Sequence, residues 1–217
     1  MSVRDSIDRR EIDEVLHFTT NHGCLGTLYT NTLQSRQRLE GDPLVEYLFK
    51  PNVSIRKDAA FIDHVSLSIG WINSEFFSIC AGSWHRAEDI FWVILSFDPS
   101  VLEADGVVFS TTNNIYSSVR RGDGEAGLEA LYAPTITQYV KRGAVHAASR
   151  TITMPPSWPT CAHAEALYPG QIATSFLRRI YTRTDQDRYE VLAFLKATWH
   201  PPIDVVVDAS RFEGRPR

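Results

Sequence analysis

Apolar residues along the chain fall into short runs bounded by Gly, Pro, Asn and Asp, a pattern of brief strands and modest helices rather than long amphipathic rods. Val15–Thr19 reads as a strand. Asn21-His22-Gly23 predicts a break, and Cys24–Leu33, with Leu25, Leu28, Tyr29 and Leu33 able to share one face, predicts a helix after it. Phe61–Ile69 is rich in β-formers, and Ile90–Phe97 is a continuous apolar run expected as a strand covered on both faces. Asp98-Pro99 closes that run and Gly106–Thr111 supplies another strand, whereas Thr112–Gly127 is polar and predicts a loop or a loosely packed helix bordering a site.

Pro155, Pro156 and Pro159 predict an extended approach to a strand over Thr160–Tyr168, whose alternation would put Cys161, His163, Glu165 and Leu167 on one face. Phe176–Thr182 reads as a further strand. Asp185 opens a helix for which Tyr189, Leu192, Leu195 and Trp199 approximate the buried face, Pro201-Pro202 ends it, and Ile203–Val207 can return to a sheet edge. Strands and helices mix without strict βαβ alternation, and no GxGxxG or GxxxxGKS phosphate loop occurs. A Rossmann or P-loop fold is therefore disfavoured and an α+β domain expected. No internal repeat or long linker divides the 217 residues, so one domain over 1–217 is expected.

Composition narrows the function classes more than the fold. With 43% apolar residues the chain can bury a substantial core, and its longest apolar run falls far short of the ~20 residues of a membrane helix. A charged amino terminus adds to the expectation of a soluble, unexported protein with no membrane partner. Cys24, Cys80 and Cys161 are an odd number without close spacing, which disfavours disulfides and zinc fingers and fits a reducing cytoplasm. A net charge of −4 gives no general attraction to phosphate, so any nucleic-acid role must rest on local clusters: Arg36/Arg38, Lys50/Arg56/Lys57, Arg120/Arg121 and Lys141/Arg142. Cys161-x-His163 offers too few ligands for a metal, and no GxSxG surrounds Ser66, Ser68 or Ser110.

Four segments, in order, carry a resemblance. They are Leu16-His17-Phe18-Thr19; Asn52-Val53-Ser54-Ile55-Arg56 followed by Asp63-His64-Val65-Ser66-Leu67; Val107–Asn114; and Cys161-Ala162-His163-Ala164-Glu165-Ala166-Leu167 with Ile180-Tyr181-Thr182 after it. Together they resemble the DarT family of DNA ADP-ribosyltransferase toxins, across roughly Val15 to Thr182. The chain departs from the family pattern in having Leu25 about one residue late, Thr112-Asn113 in place of Asp-Gly, and no aromatic, proline-containing continuation after Asp63. That last difference leaves thymine and guanine both open as the modified base.

The resemblance implies an ADP-ribosyltransferase-like fold of two facing antiparallel sheets with flanking helices, and NAD as co-substrate with no metal. It implies Glu165 and Arg56 as catalytic, His17, Thr19 and Arg56 as NAD-binding, and His163, Asn113 and Asn114 as contacts to nucleic acid. It further implies single-stranded DNA as substrate and a macrodomain antitoxin as partner, in a toxin–antitoxin or phage-defence setting. Those residue types suit the chemistry. Cleaving the nicotinamide–ribose bond creates an oxocarbenium-like centre that a carboxylate can stabilise, and a guanidinium fork suits phosphate or a base carbonyl. Tyr116, Tyr132, Tyr139 and Trp84 are available for stacking bases. Two rival readings remain: a transferase of the same fold acting on RNA or protein, and a binding module without turnover.

Overall fold

The computed structural model describes residues 2–39, 59–84 and 89–216. Its frame is a run of eight hydrogen-bonded strands in the spatial order β12-β11-β4-β1-β3-β9-β5-β6. In chain order these are β1 (Val15–Thr20), β3 (His64–Ile69), β4 (Trp92–Phe97), β5 (Val108–Ser110), β6 (Arg121–Asp123), β9 (Glu165–Pro169), β11 (Leu177–Thr182) and β12 (Asp204–Val207). Two short pairs stand apart: β2 (Thr32–Gln34) with β10 (Gln171–Ala173), and the hairpin β7 (Thr135–Lys141) with β8 (Ala144–Ser149). The main helices are α1 (Val3–Arg9), α2 (Asn21–Thr30), α3 (Arg36–Leu39), α4 (Ser74–Ile79), α5 (Gly124–Ala130) and α6 (Asp185–Ala197).

The eight strands behave as two halves. β1 pairs with β4 along its whole length, Val15↔Phe97 through Thr20↔Trp92, but with β3 only at Val15↔Ile69 and Leu16↔Ser68. Beyond Leu16 the two strands are no longer paired, while β3 stays paired on its other edge with β9 from His64↔Pro169 to Leu67↔Ala166. The sheet is thus split between β1 and β3, with the closed end at Val15–Leu16.

β4 explains why the split does not break the fold. All six of its residues are buried, as the apolar run predicts, and Val93, Leu95 and Phe97 enter a large core while Trp92 and Ile94 enter a smaller one. Each such side chain contributes about 1.5–3 kcal/mol through burial. The large core draws on residues from Ile7 to Val205, and the smaller one on Leu16, Phe77, Tyr181 and Phe212 among others.

The structure corrects several sequence expectations. α2 begins at Asn21, not Cys24, because the Thr20 side chain accepts the Gly23 N–H at 3.2 Å and turns Asn-His-Gly into a first helical turn. It stops at Asn31, whose φ is +55°, so Leu33 belongs to β2. The strand expected over Thr160–Tyr168 starts only at Glu165, since Ala164 N–H closes a turn onto the Cys161 carbonyl at 3.1 Å. The prolines before it do not hold an extended approach, because Trp158 N–H turns back to the Pro155 carbonyl at 3.1 Å.

The buried line of α6 is Val191 and Leu195. Tyr189 is 61% exposed and Trp199, past the helix end at a positive φ, is 93% exposed. β11, α6 and β12 form a parallel βαβ unit, the one parallel pairing among the described strands. The polar stretch 112–127 contains β6 and the start of α5.

Candidate active site

Glu165 is the first residue of β9, and it sits opposite Ser110, the last residue of β5. It is 9% exposed, and its Oε2 accepts the backbone N–H of Asn114 at 2.8 Å. A carboxylate that is buried yet receives an amide donor has a fixed orientation. Ser110 is itself fully buried, and its hydroxyl finds no hydrogen-bond partner among the described residues, an uncommon state for a buried polar atom.

After β5 the chain makes a tight polar loop and returns as β6, with Ser110 paired to Arg121. Asn113 Oδ1 accepts the Ile115 N–H at 3.1 Å, and Tyr116 N–H donates to the Asn113 carbonyl at 3.0 Å. Arg121 folds back into the loop, donating from Nε to Asn114 Oδ1 at 2.6 Å and from Nη2 to the Asn114 carbonyl at 2.7 Å. Its guanidinium also lies 5.3 Å from the Phe61 ring centre. Phe61, Asn114, Ile115, Tyr116, Val119 and Arg121 line an open pocket of about 470 Å³.

His163, two residues before Glu165, is 2% exposed and held from two sides. Its Nε2 lies 3.0 Å from Glu75 Oε2, on α4, and the Gln138 amide of β7 lies 2.9 Å from Nδ1. The same Gln138 nitrogen lies 3.1 Å from Nε2, and because the Glu75 carboxylate can only accept, it favours a proton on Nε2. Burial lowers the His163 pKa below its ordinary value, against the pull of the Glu75 carboxylate, so the ring is neutral at pH 7. From there aromatic rings run outward: Tyr116 lies 6.1 Å from His163 and 5.5 Å from Tyr139, and Tyr139 stacks on His146 at 4.4 Å. Burial, then the negative charges of Glu75 and Glu165, raise the Tyr116 pKa and keep its phenol protonated.

The approach to Glu165 is held by cations on carbonyls. Arg150 donates to the carbonyls of Trp158 at 2.6 Å and Pro155 at 2.8 Å, and Arg215 donates to that of Pro159 at 2.7 Å. Tyr132 OH donates to the Ser157 carbonyl at 3.1 Å.

On the other side of the split, His17 is half-buried and its Nδ1 donates to the Ser66 carbonyl of β3 at 2.9 Å, so the imidazole bridges the gap where backbone pairing has stopped. Alternation puts His17 on the face of Val15 and Leu95, and Glu165 on the face opposite Ala164 and Ala166. Leu16, Ser68 and the start of β9 lie nearly in line across the sheet, which separates the two backbones by about 10 Å at the usual strand spacing. Thr19, 5% exposed, packs against the first turn of α2, where a Cβ on Gly23 would come within 2.0 Å of its hydroxyl oxygen.

Of the residues singled out from sequence, the structure gathers Glu165, Asn113, Asn114 and His163 around one loop, and it puts His17 and Thr19 on β1, two strands from β9 in the same sheet. Arg56, with Lys50 and Lys57, lies outside the described residues. Asn113, Asn114 and His163 are 7%, 3% and 2% exposed. They are engaged by protein partners and do not present themselves to solvent. Arg121 stands out in the sequence only as half of the Arg120/Arg121 basic cluster, and Gln138 and Glu75 not at all, because their contacts here span 7, 25 and 88 positions of chain. Among the described residues no cluster of His, Cys, Asp or Glu is arranged to hold a metal ion.

The site thus combines a mainly antiparallel sheet split between β1 and β3, a held carboxylate on β9 and a histidine of β1 that bridges the split. Solved structures share this fold. Thermus sp. 2.9 DarT in complex with carba-NAD+ superposes with a TM-score of 0.64 at 15% identity, covering 94% of this chain and 99% of that one. The same protein in complex with ADP-ribosylated ssDNA gives 0.62 at 14% identity, covering 94% and 97%. Thermosipho africanus DarTG in complex with ADP-ribose gives 0.60 at 11% identity, covering 92% of this chain and 51% of that one. No protein of curated function has a significant sequence match. The family model for DarT, the ssDNA thymidine ADP-ribosyltransferase, matches residues 43–212. The chain belongs to the DarT family of single-stranded DNA ADP-ribosyltransferases.

Proposed function

We propose that the split between β1 and β3 binds NAD, and that Glu165 promotes transfer of ADP-ribose to a base of single-stranded DNA held in the adjoining pocket. The observation that carries this is the Glu165 carboxylate, buried and oriented by the Asn114 amide at the edge of that pocket. In the reaction the ribose C1′–nicotinamide bond breaks and nicotinamide leaves with its bonding electrons. The oxocarbenium-like ribose is then attacked by a ring nitrogen of the base, and that nitrogen loses a proton. Glu165 stabilises the positive charge and orients the sugar through its 2′-hydroxyl. His17 needs only to hydrogen-bond the NAD, with Thr19 shaping the strand end beside α2. Arg56 is assigned to the NAD phosphates or the base carbonyl on the motif alone.

Attack by a ring nitrogen requires an unpaired base, which explains single-stranded DNA as the substrate, with thymine the base favoured by the family model. Asn113, Asn114 and His163 serve as the frame of the site. Phe61 and Tyr116 face the pocket and are the side chains we assign to the DNA, with Tyr139 and His146 continuing a stacking surface along the hairpin. The whole chain acts as one domain, supported by a core drawn from Ile7 to Val205. A macrodomain antitoxin is the proposed partner, supported by the structural likeness to a DarTG protein. Three buried free cysteines suit a cytoplasmic setting, and among the described residues no helix is long and apolar enough to cross a membrane.

The test is incubation with labelled NAD and separate pools of single-stranded DNA, duplex DNA, RNA and protein. Label is expected on single-stranded DNA alone, and lost in Glu165→Ala. Label on RNA or protein but not DNA would contradict the substrate assignment.

A further inference from the structure

We propose that Arg121 is a positioning residue that holds Glu165 in its reactive orientation through Asn114. The inference rests on the reading of Glu165 as the reacting carboxylate. A backbone amide in a loop can aim a carboxylate only if the loop itself is fixed; Thr112 and Ser118 tie this loop to the Gln138 carbonyl at 3.1 and 3.0 Å, and Arg121 grips it at Asn114 itself. Arg121 takes both oxygens of Asn114, side chain and main chain, at 2.6 and 2.7 Å, in the two-pronged manner that a guanidinium allows and an ammonium does not. Asn114 then directs its N–H to Glu165 Oε2 at 2.8 Å.

The loop is closed beneath this grip by Thr111 N–H on the Arg120 carbonyl at 3.0 Å and Arg120 N–H on Thr111 Oγ1 at 3.1 Å. Arg121 itself is anchored by β6, because Gly122 packs backbone to backbone against Gly127 of α5. Arginines in a DNA-modifying enzyme are ordinarily assigned to phosphate. Both Arg120 and Arg121 are exposed, but only the Arg121 guanidinium turns onto the loop to bond Asn114, whereas the Arg120 side chain makes no hydrogen bond or ion pair among the described residues.

The experiment measures transfer to a single-stranded oligonucleotide by Arg121→Ala, Arg121→Lys and Asn114→Ala, with Arg120→Ala as a control of equal charge loss and Glu165→Ala as the reference for the reacting group. Removing both prongs is expected to lower kcat by about 10–100-fold, less than loss of a direct transition-state donor. KM for NAD and the oligonucleotide Kd should stay within about twofold, the general tolerance of a group that acts only in the transition state. Asn114→Ala loses one prong, and Arg121→Lys keeps one, so both should fall between Arg121→Ala and the parent, while Arg120→Ala keeps the parent kcat. Thermal melting of each variant confirms that the folded protein is being assayed, and the single-prong pair keeps the comparison open if Arg121→Ala fails to fold.

Parent-like kcat in Arg121→Ala would overturn the proposal. So would a loss carried entirely by a weaker, more salt-sensitive Kd, which would make Arg121 a phosphate contact. A fully active Glu165→Ala would instead remove the underlying reading of Glu165, whatever Arg121 does.

Discussion

The closed end of the split depends on one buried carboxylate, and removing its counter-ion should cost much of the protein's stability. Glu14 precedes β1 and is 6% exposed. Its Oε2 accepts from Ser96 Oγ of β4 at 2.8 Å and Tyr181 OH of β11 at 2.9 Å, and its Oε1 accepts from Arg211 Nη1 at 2.5 Å. The guanidinium also lies 5.2 Å from the Trp71 ring and 4.8 Å from that of Tyr181. Arg211→Ala leaves the carboxylate with two hydroxyl donors and no positive charge. Stranding a buried charge costs about 3–5 kcal/mol, and the 22% exposure of the Arg211 side chain favours the lower end, about 3 kcal/mol. For a chain of this length that is a fall in Tm of about 6–12 °C.

Circular-dichroism melts of the parent, Arg211→Ala, Glu14→Gln and the double variant test it. The double variant should melt above the sum of the single losses, because Glu14→Gln removes the charge that Arg211→Ala strands. A Tm for Arg211→Ala within about 2 °C of the parent, or strictly additive losses, would refute the reasoning.

Three further outcomes follow from other contacts. Burial pushes the Glu129 pKa up, but hydrogen bonds from Arg10 and Arg9 outweigh it and bring it down to about 2. Its folded-state pKa is depressed, so its contribution is present above the ordinary carboxylate range and is lost as pH falls through about 2; acid melts of Glu129→Gln should show a shallower loss of Tm between about pH 4.5 and 2 than the parent, and equal slopes would contradict it. Gly127→Ala would put a Cβ 2.4 Å from the Gly122 backbone, so it should destabilise by about 1–3 kcal/mol in urea melts and lower transfer activity by displacing β6; a neutral result would deny the close packing. Leu195→Ala should cost about 2–5 kcal/mol in the same urea melts, whereas Trp199→Ala, at a 93% exposed position, should stay within about 0.5 kcal/mol; the reverse order would restore the face expected from sequence.

How far the sequence reveals this molecule depends on whether a feature is local. β4 is legible because a nearly continuous apolar run before Asp98-Pro99 admits few other structures, and β11 and β12 because short stretches rich in β-formers flank a helix closed by Pro201-Pro202. The helix faces are less so: Tyr189, Leu192, Leu195 and Trp199 have near-helical spacing, yet the positive φ of Trp199 takes it out of the periodicity and the true buried line is one step away. The β7–β8 hairpin escapes notice because its turn uses Arg142 and Gly143 with φ of +50° and +79°, a conformation usually announced by Asn-Gly, and because β8 is exposed on both faces. Glu165 and His17 are recognisable by motif and order. The expected alternation of Cys161, His163 and Glu165 fails because a turn before β9 breaks the period. The contacts around Glu165, the Arg121–Asn114 pair and the Gln138–His163–Glu75 bracket beside it, arise only when distant segments pack.

The most direct measurement is a structure of the protein with a non-hydrolysable NAD analogue. The account predicts the analogue in the opening between β1 and β3, with its nicotinamide ribose hydroxyls within hydrogen-bonding distance of the Glu165 carboxylate and His17 beside it. An analogue bound elsewhere, or one seated in the opening with Glu165 still turned away from the ribose, would contradict it.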